Sequence, residues 1–259
     1  MHICHVERSR DIPSCQPKLA QRDSPASLEM TKASEKIIVA LDVNTKKEAL
    51  GLANELRGQV GFFKIGLQLY TSAGPDVVRA IAETGAKIFL DLKLHDIPNT
   101  VAKTVEAVGR LGVQMLSFHL SGGEKMVRAA VEARTNDLML LGVTVLTSAD
   151  QQTLIETGVS GTPEDQVLRL ASLGVNAGAN GLITSAREIQ SLRKAFGETV
   201  TIVVPGIRPS WAEPGDQKRV MSPRQALEAG ADYLVIGRPV TGHQNPCEAI
   251  KKIAAELGT

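Results

Sequence analysis

The sequence predicts an α/β protein whose single domain is a (β/α)8 TIM barrel. Short runs rich in Val, Ile and Leu recur at even spacing from Lys36 onward, and each is followed by a stretch with the period of an amphipathic helix. This alternation is typical of βαβ units on a buried parallel sheet. Eight strand and helix pairs in about 220 residues match the number of units in such a barrel.

The predicted elements alternate along the chain. A glycine after three of the helices, at Gly112, Gly174 and Gly230, is expected to end the helix and turn the chain back toward the sheet. The runs expected to form strands are 37–41, 61–65, 87–92, 115–119, 138–146, 181–184, 201–204 and 233–236. The stretches expected to form helices are 46–57, 75–84, 101–111, 124–133, 164–173, 186–195, 223–229 and 246–257.

An open, doubly wound sheet is the structural alternative to the barrel. Sheets of that kind that bind nucleotides usually carry a glycine-rich turn after the first strand. Residues 41–44 of this chain read LDVN and contain no glycine. The number and even spacing of the units therefore favour the barrel.

Residues 1–34 differ from the rest of the chain, because they are charged, contain Pro and Ser, and show no sustained hydrophobic period. We expect a mostly disordered extension there, followed by a catalytic barrel domain over residues 35–259. Glu7, Asp11 and Asp23 argue against a transit peptide, which is usually poor in acidic residues. Met30 offers the alternative of a start codon placed too far upstream.

Composition excludes several classes of protein. A formal net charge of +1 gives no field that would favour nucleic acid or an anionic membrane as the main partner. The three cysteines are far apart and suggest neither a disulfide framework nor a zinc site. No stretch of about 18 apolar residues and no apolar leader is apparent, so we expect a cytoplasmic protein.

Polar residues at the C-terminal ends of the predicted strands are the candidate functional residues, because the active site of a TIM barrel lies at that end. They are Asp42 after the first strand, Lys64 in the second, Asp91, Lys93 and Asp96 at the third, His119 at the fourth, Thr147 and Ser148 at the fifth, Arg208 after the seventh, and Gly237 with Arg238 after the eighth.

The third strand is unusual because residues 89–94 alternate apolar and charged side chains in a run that should be buried. A period of two predicts that Asp91 and Lys93 share the face toward the barrel mouth. A structural ion pair is one alternative. A metal site formed by Asp91, His95 and Asp96 is another, but the ammonium of Lys93 would repel a divalent cation. We expect His95 and His119 to have packing roles.

A phosphate site is predicted after strands seven and eight, which form the usual phosphate site of such barrels. Gly206 and Gly237 allow backbone N–H groups to approach oxygen atoms, while Arg208 and Arg238 add fork-shaped charge. The segment 209–223 is long and polar for a loop of this fold. It suggests a lid that closes over the ligand, the alternative being a passive surface loop.

These motifs together resemble the bacterial form of the orotidine 5′-phosphate decarboxylase family from about Lys36 to the end of the chain. One departure is Leu120, where that pattern leads us to expect a small residue after His119. The segments that carry the resemblance are 40–42 (ALD), 63–66 (FKIG), 91–100 (DLKLHDIPNT), 145–148 (VLTS), 205–209 (PGIRP), 216–217 (DQ) and 236–238 (IGR).

The resemblance implies a cofactor-independent decarboxylase that forms UMP, with Lys93 as the proton donor in a charged network with Lys64, Asp91 and Asp96. It also implies a homodimer in which Asp96 and Thr100 reach the neighbouring subunit's site. The implied substrate contacts are Asp42 and Lys64 to the ribose, Thr147 or Ser148 to the pyrimidine, Arg208, Gly237 and Arg238 to the phosphate, and Gln217 between phosphate and base.

Two other functions are open at this stage. Related sugar-phosphate decarboxylases and synthases share the Asp-x-Lys-x-x-Asp strand but use magnesium, with an acidic ligand near the position of Lys64. A UMP-binding barrel without activity would have lost the charged network, whose members are all present in this sequence. The decarboxylase prediction requires neither metal nor organic cofactor.

Overall fold

The computed structural model of the chain describes residues 33–135, 137–212 and 221–258. A helical turn at 33–35 leads directly into the first strand. The expectation of disorder for 1–34 therefore concerns residues that lie almost entirely outside the described part. The predicted lid falls partly outside it too, since residues 213–220 are not described.

Eight parallel strands close into a barrel in which each strand pairs with its sequence neighbours and β1 pairs with β8. The predicted fold class is therefore confirmed. The strands are β1 Ile37–Ala40, β2 Phe62–Gly66, β3 Ile88–Leu94, β4 Met115–His119, β5 Met139–Val143, β6 Gly181–Ile183, β7 Thr201–Pro205 and β8 Tyr233–Ile236.

Helices follow the strands and surround the barrel. Capping boxes at Thr45, Thr162 and Ser222 explain where three of them begin, because each side chain accepts the backbone N–H three residues later. The helices are Lys46–Glu55, Leu67–Ala73, Pro75–Ala82, Pro98–Gly109, Glu124–Glu132, Gln151–Glu156, Pro163–Asn176, Ile189–Phe196, Pro223–Glu228, Arg238–Thr241 and Pro246–Gly258. Short 3₁₀ turns lie at Leu120–Gly122 and Ala186–Glu188.

Three helices were not predicted from the sequence: Leu67–Ala73, Gln151–Glu156 and Arg238–Thr241. All are too short to show a clear helical period, and all lie at the C-terminal ends of strands, where the chain forms the barrel mouth. The predicted strand at 138–146 was too long, since β5 ends at Val143.

The glycine predicted to end the helix at Gly174 was wrongly assigned. The helix continues through Asn176, and the left-handed residue that reverses the chain is Gly178, with φ +96°. Gly174 instead lies against Leu120, which a Cβ at residue 174 would approach to 2.6 Å. The other two predicted turn glycines, Gly112 and Gly230, do have positive φ.

The core consists of two apolar layers on opposite faces of the strands. One lies between the barrel and its helices and includes Val39, Leu90 and Leu234. The other fills the barrel interior. The alternation of side chains along each strand sends one set into each layer. The interior cluster consists of Ile38, Ala40, Phe62, Phe89, Met115, Leu141, Val143, Ile183, Val203 and Val235.

Candidate active site

A pocket opens at the C-terminal ends of the strands and is mainly apolar with three charged groups at its floor. Those groups are Lys64 from β2 and Asp91 with Lys93 from β3. The rest of the lining is Phe89, Val143, Val145, Leu146, Thr147, Ile183, Thr184, Pro205 and Val235. An apolar pocket with few convergent polar groups is the usual form of a site for a small ligand.

Asp91 is the centre of the charged network. Lys93 Nζ lies 2.8 Å from both carboxylate oxygens of Asp91, and Lys64 Nζ lies 3.5 Å from Oδ2. Lys64 Nζ also lies 3.2 Å from Asp42 Oδ1. The structure therefore brings together four of the predicted residues, from the ends of three strands. Asp91 and Lys64 are buried, whereas more than half of the Asp42 side chain is exposed.

The network keeps Asp91 ionised. Burial is the largest single influence and would raise the pKa of Asp91, but the charges of Lys64 and Lys93 and the hydrogen bonds from Lys93 and Ser117 outweigh it. The pKa of Asp91 consequently lies below its ordinary value. The ionised carboxylate of Asp91 therefore holds the ammonium groups of Lys64 and Lys93 in the pocket.

Asp91 and Lys93 both face the pocket, as predicted, but Lys93 does so through an irregular backbone and not through regular strand alternation. Lys93 has φ +51°, a left-handed conformation found at no other described non-glycine residue. The β3–β4 pairing shifts between Leu90 and Leu94, so that residues 91–93 lie opposite one residue of β4. Such strained residues cluster at functional sites.

Ser117 is a site residue that sequence reasoning missed. It is fully buried in β4, donates its hydroxyl proton to Asp91 Oδ1 at 2.7 Å, and accepts the backbone N–H of Lys93 at 2.9 Å. The available signal was a hydroxyl in the middle of the apolar run 115–119. The sequence does not show which residue of β3 lies opposite Ser117, so it gave no reason to link Ser117 to Asp91 or Lys93.

The two histidines lie beside the network and contact each other. The rings of His95 and His119 are 5.5 Å apart between centroids. Burial, and then the neighbouring charges of His95 and Lys93, lower the pKa of His119. This arrangement is compatible with the packing role predicted for both, and neither lines the pocket described above.

Asp96 and Thr100 do not join the network of their own chain. Both are exposed, and the described hydrogen bond of the Asp96 carboxylate is with the backbone N–H of Ile97 at 2.6 Å. They line a second groove, at the end of β3, together with Lys93, His95 and Thr104.

The predicted phosphate end is formed by the neighbouring strands β7 and β8. Gly206 has φ +79°, and Arg208 is half-buried with its backbone N–H bonded to Met221 O at 3.1 Å. Gly237 lies where a Cβ would be 3.6 Å from Asp42 Oδ2, so this end adjoins the β1 end of the network. Arg238 is exposed.

The side of the pocket formed by the ends of β5 and β6 contains two threonines. Thr147 lines it, whereas Ser148, its predicted alternative, is exposed and outside the lining. Thr184 also lines it, and its hydroxyl is buried without a hydrogen-bond partner among the described residues. Gln217 lies outside the described residues, so the structure gives it no position.

The departure at Leu120 is accommodated locally. Leu120 is fully buried, and a Cβ on either Gly142 or Gly174 would come within 2.6 Å of its Cδ2. Real Cβ atoms essentially never show such contacts. Two glycines therefore provide the space that the larger side chain occupies beside β4.

Within the described ranges, no group of three or more His, Cys, Asp or Glu side chains is placed to hold a metal ion. None of the helices in that part of the chain has both the length and the apolar character needed to cross a bilayer.

The fold and the site define a (β/α)8 barrel with a pocket at its mouth and a charged Lys-Asp-Lys centre in that pocket. A family model described as the orotidine 5′-phosphate decarboxylase / HUMPS family matches residues 35–253. This chain belongs to that family.

Similar proteins agree with the assignment. The orotidine 5′-phosphate decarboxylase of Syntrophotalea carbinolica is 46% identical over 236 residues, which cover 88% of this chain and 97% of that protein. The enzyme of Nitrosococcus oceani is 48% identical over 225 residues, covering 86% and 97%. The crystal structure of the Lactobacillus acidophilus enzyme superposes with a TM-score of 0.76 at 34% identity, covering 86% of this chain and 99% of that one.

Proposed function

We propose that this chain decarboxylates orotidine 5′-phosphate to UMP in de novo pyrimidine biosynthesis, with Lys93 as the acid. The observation that carries the proposal is the position of Lys93 Nζ, 2.8 Å from both oxygens of Asp91 at the floor of an apolar pocket. Family membership supplies the substrate, and the geometry of the charged groups supports the roles proposed for them.

The chemistry requires a fixed positive charge. When the bond between C6 and the carboxylate breaks, CO2 leaves and the electron pair stays on C6, with no adjacent π system to spread it. An ammonium held in a pocket of low dielectric constant stabilises that charge as it develops. Lys93 then transfers a proton from Nζ to C6, which gives UMP.

Asp91 and Lys64 prepare Lys93 for this step. Asp91 holds the ammonium in place through two short contacts, and its own charge next to the substrate carboxylate favours departure of CO2. Lys64 balances the second oxygen of Asp91. No step in this scheme requires a metal ion or an organic cofactor.

Substrate contacts follow the arrangement around the mouth. Asp42 and Lys64 would bind the ribose hydroxyls, and Thr147 or Ser148 the pyrimidine edge. Arg208, Gly237 and Arg238 would bind the 5′-phosphate, with Gln217 closing over it from the segment 209–223. Binding energy from the remote phosphate can then contribute to catalysis as well as to affinity.

We further propose a homodimer with shared sites, to which Asp96 and Thr100 contribute across the interface. Both side chains are exposed, and among the described residues neither forms a hydrogen bond or ion pair with the charged network of its own chain, which supports this proposal. Equal amounts of the inactive Lys93→Ala and Asp96→Ala subunits should exchange so that about half of the dimers are mixed. Each mixed dimer contains one intact site out of two, so about a quarter of the wild-type activity should return. No recovery after subunit exchange would contradict sharing.

One measurement separates the candidate functions. When the enzyme is added to orotidine 5′-phosphate, the substrate absorbance should fall at the same rate with EDTA as without it. Activity that disappears with EDTA and returns with magnesium would favour the sugar-phosphate relatives. UMP binding without any absorbance change would favour a barrel that only binds nucleotide. The cytoplasmic location stays a prediction, compatible with this activity.

A further inference from the structure

The hydroxyl of Ser117 contacts both the carboxylate of Asp91 and the backbone of Lys93. It donates to Asp91 Oδ1 at 2.7 Å and accepts from Lys93 N at 2.9 Å. A hydroxyl has one proton and two lone pairs, so both bonds can exist together. The side chain is fully buried, which excludes water as a ready replacement for either bond.

The bond to Lys93 N compensates for a break in the sheet. In a regular parallel ladder the N–H of a β3 residue would bond to a backbone carbonyl of β4. Here Leu90 pairs with Leu116 and Leu94 pairs with Phe118, so residues 91–93 face Ser117 alone. The Ser117 side chain accepts the N–H of Lys93, and a half-buried donor is satisfied.

The same bond supports a strained residue. A left-handed conformation is unfavourable for a non-glycine residue, and it persists only where neighbours hold it. Lys93 takes this conformation at φ +51°, and it allows Nζ to bend back onto the carboxylate two residues earlier. Without the Ser117 hydroxyl, both the backbone of Lys93 and Oδ1 of Asp91 lose a partner.

We propose that Ser117 is a positioning residue for the reaction: its hydroxyl fixes the carboxylate of Asp91 and the strained backbone of Lys93 relative to each other. It acts on the substrate only through these two residues. This inference rests on the proposed role of Lys93 as the acid. It adds a residue of β4 to a centre otherwise formed by β1, β2 and β3.

The test is Ser117→Ala, which removes the hydroxyl and little volume. We expect kcat to fall roughly 10- to 100-fold, because a displacement on the order of 1 Å in a reacting group can cost about that factor. KM for orotidine 5′-phosphate and Kd for UMP should change less than about threefold, because the phosphate and ribose contacts come from other strands.

The matched control is Thr144→Val. Thr144 is also a buried hydroxyl, and it donates to the backbone oxygen of Ile183 at 3.0 Å without contacting the charged network. We expect this variant to lose thermal stability to a similar extent as Ser117→Ala while keeping the wild-type kcat. If Ser117→Ala does not fold, Ser117→Cys, which keeps a weaker donor, should still show kcat reduced at least about fivefold.

Three results would overturn the inference. One is a kcat within twofold of wild type in Ser117→Ala or Ser117→Cys, and another is an equal loss of kcat in Thr144→Val. The third is a loss of UMP affinity by the same factor as kcat, which would assign Ser117 to ligand binding. An inactive wild-type enzyme would instead refute the proposed function, so the two failures are distinguishable.

Discussion

The interior of the barrel has two ends built from the same eight strands with opposite chemistry. The lower end contains apolar side chains such as Ile38, Phe62 and Met115, whereas the upper end contains Lys64 and Asp91. Apolar burial stabilises a fold, while burying charges costs free energy unless partners compensate for it. The difference indicates that the lower end specifies the barrel and that the upper end is retained for its chemistry.

The largest effect is expected from Lys93→Ala at the upper end. Turnover should fall by at least about 10⁴-fold, because the variant loses both the electrostatic stabilisation at C6 and the proton donor. UMP binding should stay within about threefold of wild type, as measured by calorimetry. Lys103→Ala, at an exposed lysine of the helix Pro98–Gly109, is the control and should be fully active. Turnover by Lys93→Ala at a rate close to that of the wild type would contradict the proposed mechanism.

Ile38→Ala at the lower end should produce the opposite pattern. Ile38 is fully buried, so its truncation should lower the free energy of unfolding by about 2–5 kcal/mol in urea denaturation, and Ile38→Val by about 0.5–1.5 kcal/mol. The kcat of the folded enzyme should remain within about twofold of wild type. A large loss of kcat in Ile38→Ala would show that the two ends are not separable.

Arg238→Ala should affect binding more than stability. Loss of a charge-assisted hydrogen bond to a phosphate costs about 1.5–3 kcal/mol, so KM should rise roughly 10- to 100-fold. Steady-state kinetics with orotidine 5′-phosphate will measure this. Arg224→Ala removes an exposed arginine that pairs with Glu228 on an outer helix, and its KM should not change. Equal KM values for the two variants would place the phosphate elsewhere.

The smallest effect concerns acid pH. Because the pKa of Asp91 in the folded protein lies below its ordinary value of 3.8, the ionised form stabilises the fold above that value. This contribution is lost as pH falls through the lower folded pKa. Urea unfolding from pH 7 to pH 3 should therefore show a stability difference between wild type and Asp91→Asn that is constant above about pH 5 and decreases below about pH 4.

Asp76→Asn is the control for that pH series, because Asp76 is exposed and pairs with Arg79 at the surface. Its stability difference from wild type should be small at every pH. A pH-independent difference for Asp91→Asn would mean that Asp91 is not held ionised by its neighbours.

The sequence predicted the parts of the molecule that depend on local pattern. Hydrophobic periods identified all eight strands, and the prediction that Asp91 and Lys93 both face the barrel mouth was correct. The family was also identified correctly from the motifs. These features follow from side-chain direction along single strands, which a sequence records directly.

Other features depend on how one strand meets the next, and these could not be predicted. The left-handed backbone of Lys93 arises from a shift of register between β3 and β4, and no glycine or turn signal marks it. The role of Ser117 depends on that same shift. The assigned roles of Asp42, Thr147, Arg208 and Gly237 in binding stay predictions, because they concern a ligand that the fold alone does not position.

Leu120 has a consequence for how this chain can vary. The side chain fills space left by Gly142 on β5 and Gly174 on the helix Pro163–Asn176, so three positions distant in sequence form one packing unit. Alanine at either glycine would overpack the site, while a small residue at 120 alone would leave a cavity. A single substitution at position 120, 142 or 174 should therefore be destabilising, whereas matched substitutions at all three should be tolerated. The effects of substitutions at these positions are not additive.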